Sequence, residues 1–381
     1  MTPASEATTS SDAFAYPRCS KIVAALRTIL SRVTTARSCW AMVSPPTPNG
    51  PDGRSDMVAT LRSCYRPHDT PRREWMAPSV QSSPEMSSSL SSSTPVAVTG
   101  PLGFIGRRVV DALVAEAVPV RGLVRRAVPE NAAFSPVSGD LLGPEAVARL
   151  VAGVQTVVHS AVAIGGDDDA VRRTNVDGTR IVVEAAAEAG ARVVLVSTAA
   201  VFGSGPHRGG PRPGATPESA TSVSRAEAER LVLGAGGAVV RPNVVHGVGD
   251  RWVFPSALRL VTAVGAVPDT AARVSVVHVR TLGRRIAAAA LTRASGVVPV
   301  HTDPPVAAGE VVVTAAEVLG RSLPPVVSVE EFRDRAAGRG LSSHQLAMLL
   351  DDAWFDVADP EPLGTLELDA EDRDWYRSLA G

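Results

Sequence analysis

One stretch limits the fold more than any other: Val96-Ala97-Val98-Thr99-Gly100-Pro101-Leu102-Gly103-Phe104-Ile105-Gly106. Val96 to Val98 is a short apolar run of strand type, and the pattern from Gly106 to Ala117 is that of an amphipathic helix. Between them the glycines are spaced GxxGxxG. Glycine at those points permits a tight turn, close backbone approach to a pyrophosphate and close helix–strand packing. The helix that follows offers unpaired N–H groups and positive potential to an anion. The spacing alone is a weak signal; the strand before it and the helix after it make it a dinucleotide-binding turn. A tight turn with no ligand is the competing reading.

Downstream, strand and helix patterns alternate. Val118–Val124, Val154–His159, Val193–Ser197 and Val239–Arg241 read as strands, and Asp168–Ala189 reads as one long helix stopped by Gly190. Such alternation predicts an α/β fold with a Rossmann-type, doubly wound parallel sheet covered on both faces. Beyond Pro242 the alternation weakens. Helices are expected near 253–264, 280–293, 307–319, 329–338 and 342–350, with short strands near 274–279 and 297–300. The expected organisation is an extension at 1–94, a dinucleotide-binding core at 95–247 and a smaller, mainly substrate-binding region at 248–381. Part of that last region, up to about residue 300, is expected to contribute to the core.

Residues 1–94 are rich in Ser, Thr, Pro and Arg, with one helix-forming segment at Ile22–Val33. That composition suits a targeting peptide. The preferred reading is a disordered tail, or upstream sequence preceding a start at Met76 or Met86. All three cysteines, Cys19, Cys39 and Cys64, lie there, so disulfides, thiolate metal sites and cysteine nucleophiles are excluded from the remainder. Across the chain 38 basic residues face 39 acidic ones. This argues against a partner recognised by bulk charge, whether nucleic acid or a membrane surface. No apolar run reaches the roughly 18 residues of a membrane-spanning helix, and no cluster has metal-ligand spacing. The expectation is a cytoplasmic protein acting on a small molecule without a metal.

The second strand runs into Gly122-Leu123-Val124-Arg125-Arg126. An acidic residue there would hold the ribose hydroxyls of NAD; arginine suits the 2′-phosphate of NADP by charge and bidentate geometry. Arg125 is the better candidate, Arg126 the second, and NADPH the expected cofactor. The alternative is two solvated surface arginines. Asp140, in Gly139-Asp140-Leu141 at the end of the third strand, is a candidate acceptor for the adenine amino group.

Further motifs follow in order: His159-Ser160-Ala161-Val162, Asn175-Val176-Asp177-Gly178-Thr179, Val196-Ser197-Thr198-Ala199-Ala200-Val201-Phe202-Gly203, Arg241-Pro242-Asn243-Val244-Val245-His246-Gly247 and Val276-Val277-His278-Val279. Together with the glycine turn they resemble the extended short-chain dehydrogenases over about residues 95–300. The resemblance implies cofactor contacts from Gly100, Leu102, Gly103, Phe104, Ile105 and Gly106, from Asp140 and Leu141, from Ser160, Ala161 and Val162, and from Pro242. It also makes Thr198 the counterpart of the family's active-site hydroxyl. The family's YxxxK pair is missing. The helix that should carry it reads Ser224-Arg225-Ala226-Glu227-Ala228-Glu229, which puts Thr221 in the tyrosine position and Arg225 in the lysine position. No lysine lies beyond Lys21, and the one tyrosine beyond Tyr65 is Tyr376.

Arginine stays protonated, and a threonine hydroxyl is too weak an acid to replace tyrosine near neutral pH. Losing a general acid costs on the order of 10²–10⁴ in rate, while hydride chemistry belongs to the cofactor. Three sources of help remain for a developing alkoxide. Thr198 can donate a hydrogen bond to it. Ser222 or Thr221 can position a water. A phenol beside the ketone can make the substrate its own acid, and this reading is preferred because it explains how a tyrosine could be lost. With its missing pair, the pattern resembles the atypical reductases of angucyclinone ketones. That resemblance implies an NADPH-dependent ketoreductase acting on an aromatic polyketide in antibiotic biosynthesis. The alternatives are a nucleotide-sugar ketoreductase, with Arg280, Arg284 and Arg285 as diphosphate ligands, and a non-catalytic NADP-binding sensor. His159, His246 and His278 read as structural; His207, in the loop Gly203–Pro217, reads as a solvent-facing loop residue, with a place at the active-site mouth as the alternative. Trp252 either stacks on an aromatic substrate or packs in a core.

Overall fold

Valine-rich runs of three to five residues set the frame. The chain passes through β1 (Val96–Thr99), α1 (Gly106–Ala115), β2 (Val120–Val124), β3 (Ser135–Ser138), α2 (Pro144–Val151) and β4 (Thr156–His159). It continues through α3 (Asp168–Arg172), α4 (Gly178–Glu188), β5 (Arg192–Val196), β6 (His207–Gly209), α5 (Ala220–Gly234), β7 (Ala238–Val240) and β8 (Val244–His246). Next come α6 (Val253–Val264), β9 (Val267–Asp269), β10 (Arg273–Val274), β11 (Val276–His278), α7 (Val279–Leu291), β12 (Gly296–Val298) and β13 (Val306–Ala307). Last are α8 (Ala308–Val318), β14 (Val326–Ser328), α9 (Val329–Ala336), α10 (Ser343–Leu350), β15 (Ala353–Phe355) and α11 (Ala370–Ser378). This computed structural model describes residues 94–128, 131–211, 214, 216–301, 305–355, 366 and 368–379. The expectations for residues 1–93 fall outside them.

Seven strands form one sheet in the order β12-β7-β5-β4-β1-β2-β3, and every pair in it is parallel. Buried on both faces, a central strand reads as an unbroken apolar run, as Val96-Ala97-Val98 does. The period of two sends Val96 and Val98 to one core, with Val109, Leu113, Leu282 and Ile286 of α1 and α7. Ala97 faces the other, with Val147, Leu150, Val182 and Val232 of α2, α4 and α5. A third core, around Phe254, Val261, Val312, Phe332 and Tyr376, belongs to the smaller C-terminal region. Both α7 and β12 complete the main sheet layers.

The single helix expected over Asp168–Ala189 is interrupted. A wide π turn, Arg173–Asp177, joins α3 to α4. Helix α11 was not anticipated from sequence.

Candidate active site

The glycine turn is built as a cradle. Gly100 has φ +65°, a conformation that favours glycine. A Cβ on Gly100 would stand 3.0 Å from the Ala161 nitrogen; one on Gly106 would collide with the Gly100 carbonyl and lie 2.6 Å from Ser160 Oγ. Leu102 and Gly103 are exposed on the outer side of the turn. Phe104 and Ile105 pack their side chains inward, so a ligand meets their backbone. Helix α1 starts with no side-chain cap and no acidic residue in its first turn. Helices α5, α9, α10 and α11 instead begin on the caps Ser219, Ser328, Ser342 and Asp369. The Arg107 and Arg108 amides bond the Gly103 and Ile105 carbonyls, but the helix start keeps its positive potential for an anion, and the cradle fits a dinucleotide pyrophosphate.

Around the cradle, Ser160 Oγ donates to the Thr99 carbonyl at 2.7 Å, and the Ala161 amide donates to Thr99 Oγ1 at 3.2 Å. Val162 and Ala161 line a cavity of about 10 Å³ with Asn175, Thr179, Leu195, Arg225 and Ala228. Arg125 and Arg126 are exposed at the end of β2. One Asp140 carboxylate oxygen accepts the Leu142 amide at 2.9 Å. Leu141 is buried beneath Gly178, where a Cβ would meet its side chain at 2.7 Å. Pro242 is buried, and its carbonyl accepts the Ala199 amide at 2.9 Å, tying the β7–β8 link to the turn after Thr198.

Thr198 follows β5 in extended backbone and caps the 3-10 turn Ala199–Phe202, its Oγ1 accepting the Ala200 amide at 3.2 Å. That bond uses a lone pair and leaves the hydroxyl proton available to an acceptor. Ser222 is different, and its proposed role as a water-holding group is corrected. It is buried; its Oγ accepts the Glu218 and Ser219 amides at 3.1 and 2.9 Å and donates to the Ser219 carbonyl at 3.0 Å. The hydroxyl is consumed in capping α5. Thr221 accepts the Gly165 amide at 3.3 Å through Oγ1 and keeps its own proton.

Arg225, in the lysine position, is a buried cation. Its Nη2 donates to the Val196 carbonyl, two residues before Thr198, and its Nε has no partner among the described residues. Burial lowers its pKa to about 10, and Glu229 nearby acts in the opposite direction, so it stays charged at neutral pH. Glu229 itself is held by Arg241 through contacts of 3.0 and 2.6 Å.

Tyr376 does not enter the cleft. It is fully buried in the C-terminal core, where its hydroxyl donates to Asp250 Oδ2 and accepts the Gly247 amide, both at 3.0 Å. Burial and the Asp250 carboxylate push its pKa upward, which removes it as a proton donor. His207 is also corrected: it is buried, bonded through Nε2 to the Gly203 carbonyl at 3.0 Å, and packed against Phe202 and Phe355. Trp252 is 62% exposed and therefore not core. Arg280 is engaged by Asp369 and Glu371, which weakens the reading of it as a diphosphate ligand.

Sequence reasoning missed Asn175 as a hub. Its Oδ1 accepts the Ala163 amide at 2.9 Å, and its Nδ2 donates to the Ala163 carbonyl and to Ser224 Oγ, both at 3.0 Å. The signal was the Asn175–Thr179 motif itself. Among the described residues there is no metal-binding group of side chains and no helix long and apolar enough to cross a membrane.

Comparison with known proteins agrees with this geometry. Residues 96–263 match the NAD dependent epimerase/dehydratase family. The ceramide reductase of Caulobacter vibrioides (strain NA1000 / CB15N) is 32% identical over 211 residues, 53% of this chain and 63% of that protein. The 4-hydroxy-2-methyl-3-oxo-4-farnesyl-3,4-dihydroquinoline-1-oxide ketoreductase of Stigmatella aurantiaca is 35% identical over 178 residues, 42% of this chain and 52% of that protein. The chain thus spans between half and two thirds of these relatives. The crystal structure of UDP-glucuronic acid 4-epimerase from Bacillus cereus in complex with NAD superposes with a TM-score of 0.54 at 17% identity, covering 76% of this chain and 100% of that one. At that identity the likeness is one of fold.

Proposed function

Taking residues 96–263 as a segment of the NAD dependent epimerase/dehydratase family, we propose that this chain is a reductase that uses NADPH to reduce a ketone on a lipophilic substrate. The observation that carries the reading is the pairing of a dinucleotide cradle, Gly100–Gly106 on Ser160–Ala161, with a proton-bearing Thr198 hydroxyl at the end of β5. Two relatives are named as reductases, of ceramide and of a farnesyl-bearing quinoline oxide. Both names describe molecules with long apolar chains, and the exposed Trp252 suits an apolar or aromatic partner.

When bound, the dihydronicotinamide supplies the hydride. Thr198 donates to the ketone oxygen, and the fixed charge of Arg225 beneath the end of β5 favours negative charge developing there. The proton comes from a phenol on the substrate or from water held at Thr221. An aromatic polyketide ketone of the angucyclinone type, reduced in the cytoplasm during antibiotic synthesis, meets both demands: it is apolar, and it carries its own acid.

The test is oxidation of NADPH, followed at the nicotinamide band, across a panel of apolar ketones with and without an adjacent phenol. Turnover is expected, fastest with the free phenol and slowed by its methyl ether. Tight NADPH binding with no oxidation across the panel would instead establish a sensor. Arg125→Ala should raise the NADPH Kd by about 10-fold or more while leaving NADH nearly unchanged, the loss of a charge-assisted contact being worth about 1.5–3 kcal/mol. Equal effects on both nucleotides would refute the 2′-phosphate role.

A further inference from the structure

Beneath the cradle runs a buried chain of hydrogen bonds whose direction is fixed. The Thr179 hydroxyl donates to the Asn175 carbonyl at 2.5 Å, and a carbonyl only accepts. Thr179 Oγ1 must therefore receive the Nε2 proton of His159, 3.0 Å away. Burial, aided by the Arg225 charge, lowers the His159 pKa to about 3, so the ring is neutral and its Nδ1 bare. Nδ1 then accepts the Thr99 hydroxyl proton at 2.7 Å, and Thr99 Oγ1 is left to accept the Ala161 amide at 3.2 Å. All four bonds point one way, from Ala161 down to Asn175. Thr99, His159 and Thr179 are each at most 1% exposed.

The two ends of the chain give it meaning. At its head, the Ala161 backbone is the surface on which Gly100 rests, and Ser160 beside it bonds the Thr99 carbonyl. At its foot, Asn175 sits in the π turn, a feature often found at functional sites, and its side chain fastens Ala163 and Ser224 of α5.

Resting on the reading that a dinucleotide lies over Gly100, we propose that His159 is a positioning residue for the cofactor. As the Nε2–H tautomer it holds the Thr99 hydroxyl to the Ala161 amide, and so fixes the Ser160–Ala161 floor against the glycine turn. The arm that matters for the cofactor is the Nδ1 side, towards Thr99; the Nε2 side anchors the chain to α4.

Asparagine and glutamine separate the two arms. An asparagine amide oxygen takes the place of Nδ1, whereas a glutamine amide nitrogen takes the place of Nε2. The full chain and its His159→Asn, His159→Gln and Thr99→Val variants would be titrated with NADPH and NADH by calorimetry. His159→Asn should keep both Kd values within about threefold, while His159→Gln and Thr99→Val raise them by about tenfold, near the worth of one hydrogen bond. The cofactor KM should follow the Kd, kept by His159→Asn and raised by His159→Gln and Thr99→Val. Nitrogen NMR of the wild-type ring should show a bare Nδ1 at neutral pH. Equal weakening by Asn and Gln, or a protonated Nδ1, overturns the proposal while leaving the cofactor reading intact; the NMR measurement decides even where a variant fails to fold. Failure of the wild type to bind either nucleotide would overturn the cofactor reading and this proposal with it.

Discussion

Thr198 carries two duties on one hydroxyl. Its lone pair caps the turn Ala199–Phe202, which leaves its proton for the proposed donation to a ketone oxygen. Thr198→Ala should therefore slow kcat/KM by about tenfold, the worth of one neutral hydrogen bond, without abolishing turnover. Thr198→Ser, which keeps both duties, should stay near wild type in the NADPH assay. Complete loss in Thr198→Ala would make the hydroxyl essential and exclude the substrate or water as the main aid to the alkoxide. Its place just past a strand was legible because the motif begins in the β-branched run of β5. Ser222 was misread: Ser219-Ala220-Thr221-Ser222 is a capping box with serine in place of the usual Glu or Gln, and the box consumes the hydroxyl. Arg225 could be placed from sequence but not its burial, since an arginine in a polar helix reads as solvated until the elements around it are assembled.

Helix α11 shows what element-scale reading loses. Its sequence, Ala370 to Ser378, is polar and short, so no apolar stripe announces it. Its Asp369 and Asp372 form a capping box with aspartate in both places. What holds it is tertiary. Tyr376 bonds Asp250 and Gly247, Trp375 Nε1 donates to the Asp250 carbonyl at 2.9 Å, and Asp372 accepts the Val248 amide and meets His278 Nε2 at 2.9 Å. All of these reach the Gly247–Asp250 loop or β11. Gly249 of that loop lies on Phe104 of the glycine turn, and Trp252 follows it. Tyr376→Phe removes one hydroxyl from between a buried carboxylate and a buried amide. It should lower stability by about 1–3 kcal/mol, read as a fall in the denaturant midpoint. An unchanged midpoint would show that the Tyr376 hydroxyl adds nothing net to what holds α11. The long, strongly periodic helices were placed from sequence to within a few residues. The π turn in the middle of one was not, because Asn175 reaches Ala163 and Ser224, contacts distant along the chain.

Over the whole molecule, buried neutral histidines link both regions to pH. Burial lowers the pKa of His159 and His246 to about 3 and of His301 to about 4, from an ordinary value of 6.5. For each, the unfolded chain binds a proton between pH 6.5 and that lowered value while the folded chain does not. Stability therefore rises with pH through this window: the contribution is complete above pH 6.5 and lost as pH falls towards 3 to 4. Asp250 opposes them, since burial raises its pKa, but it is one group against three. Each group differing by one proton adds a slope of about 1.4 kcal/mol per pH unit. The melting temperature should accordingly fall on acidification from neutral pH. His246 offers the sharpest check. Both its ring nitrogens are buried without partners among the described residues, and its ring stacks on Phe254 at 5.9 Å. His246→Phe keeps the stacking and removes the proton site, so it should raise the melting temperature more at about pH 5 than at about pH 8. A shift equal at both pH values would mean that His246 is not neutral by burial, and that the acid sensitivity arises elsewhere in the fold.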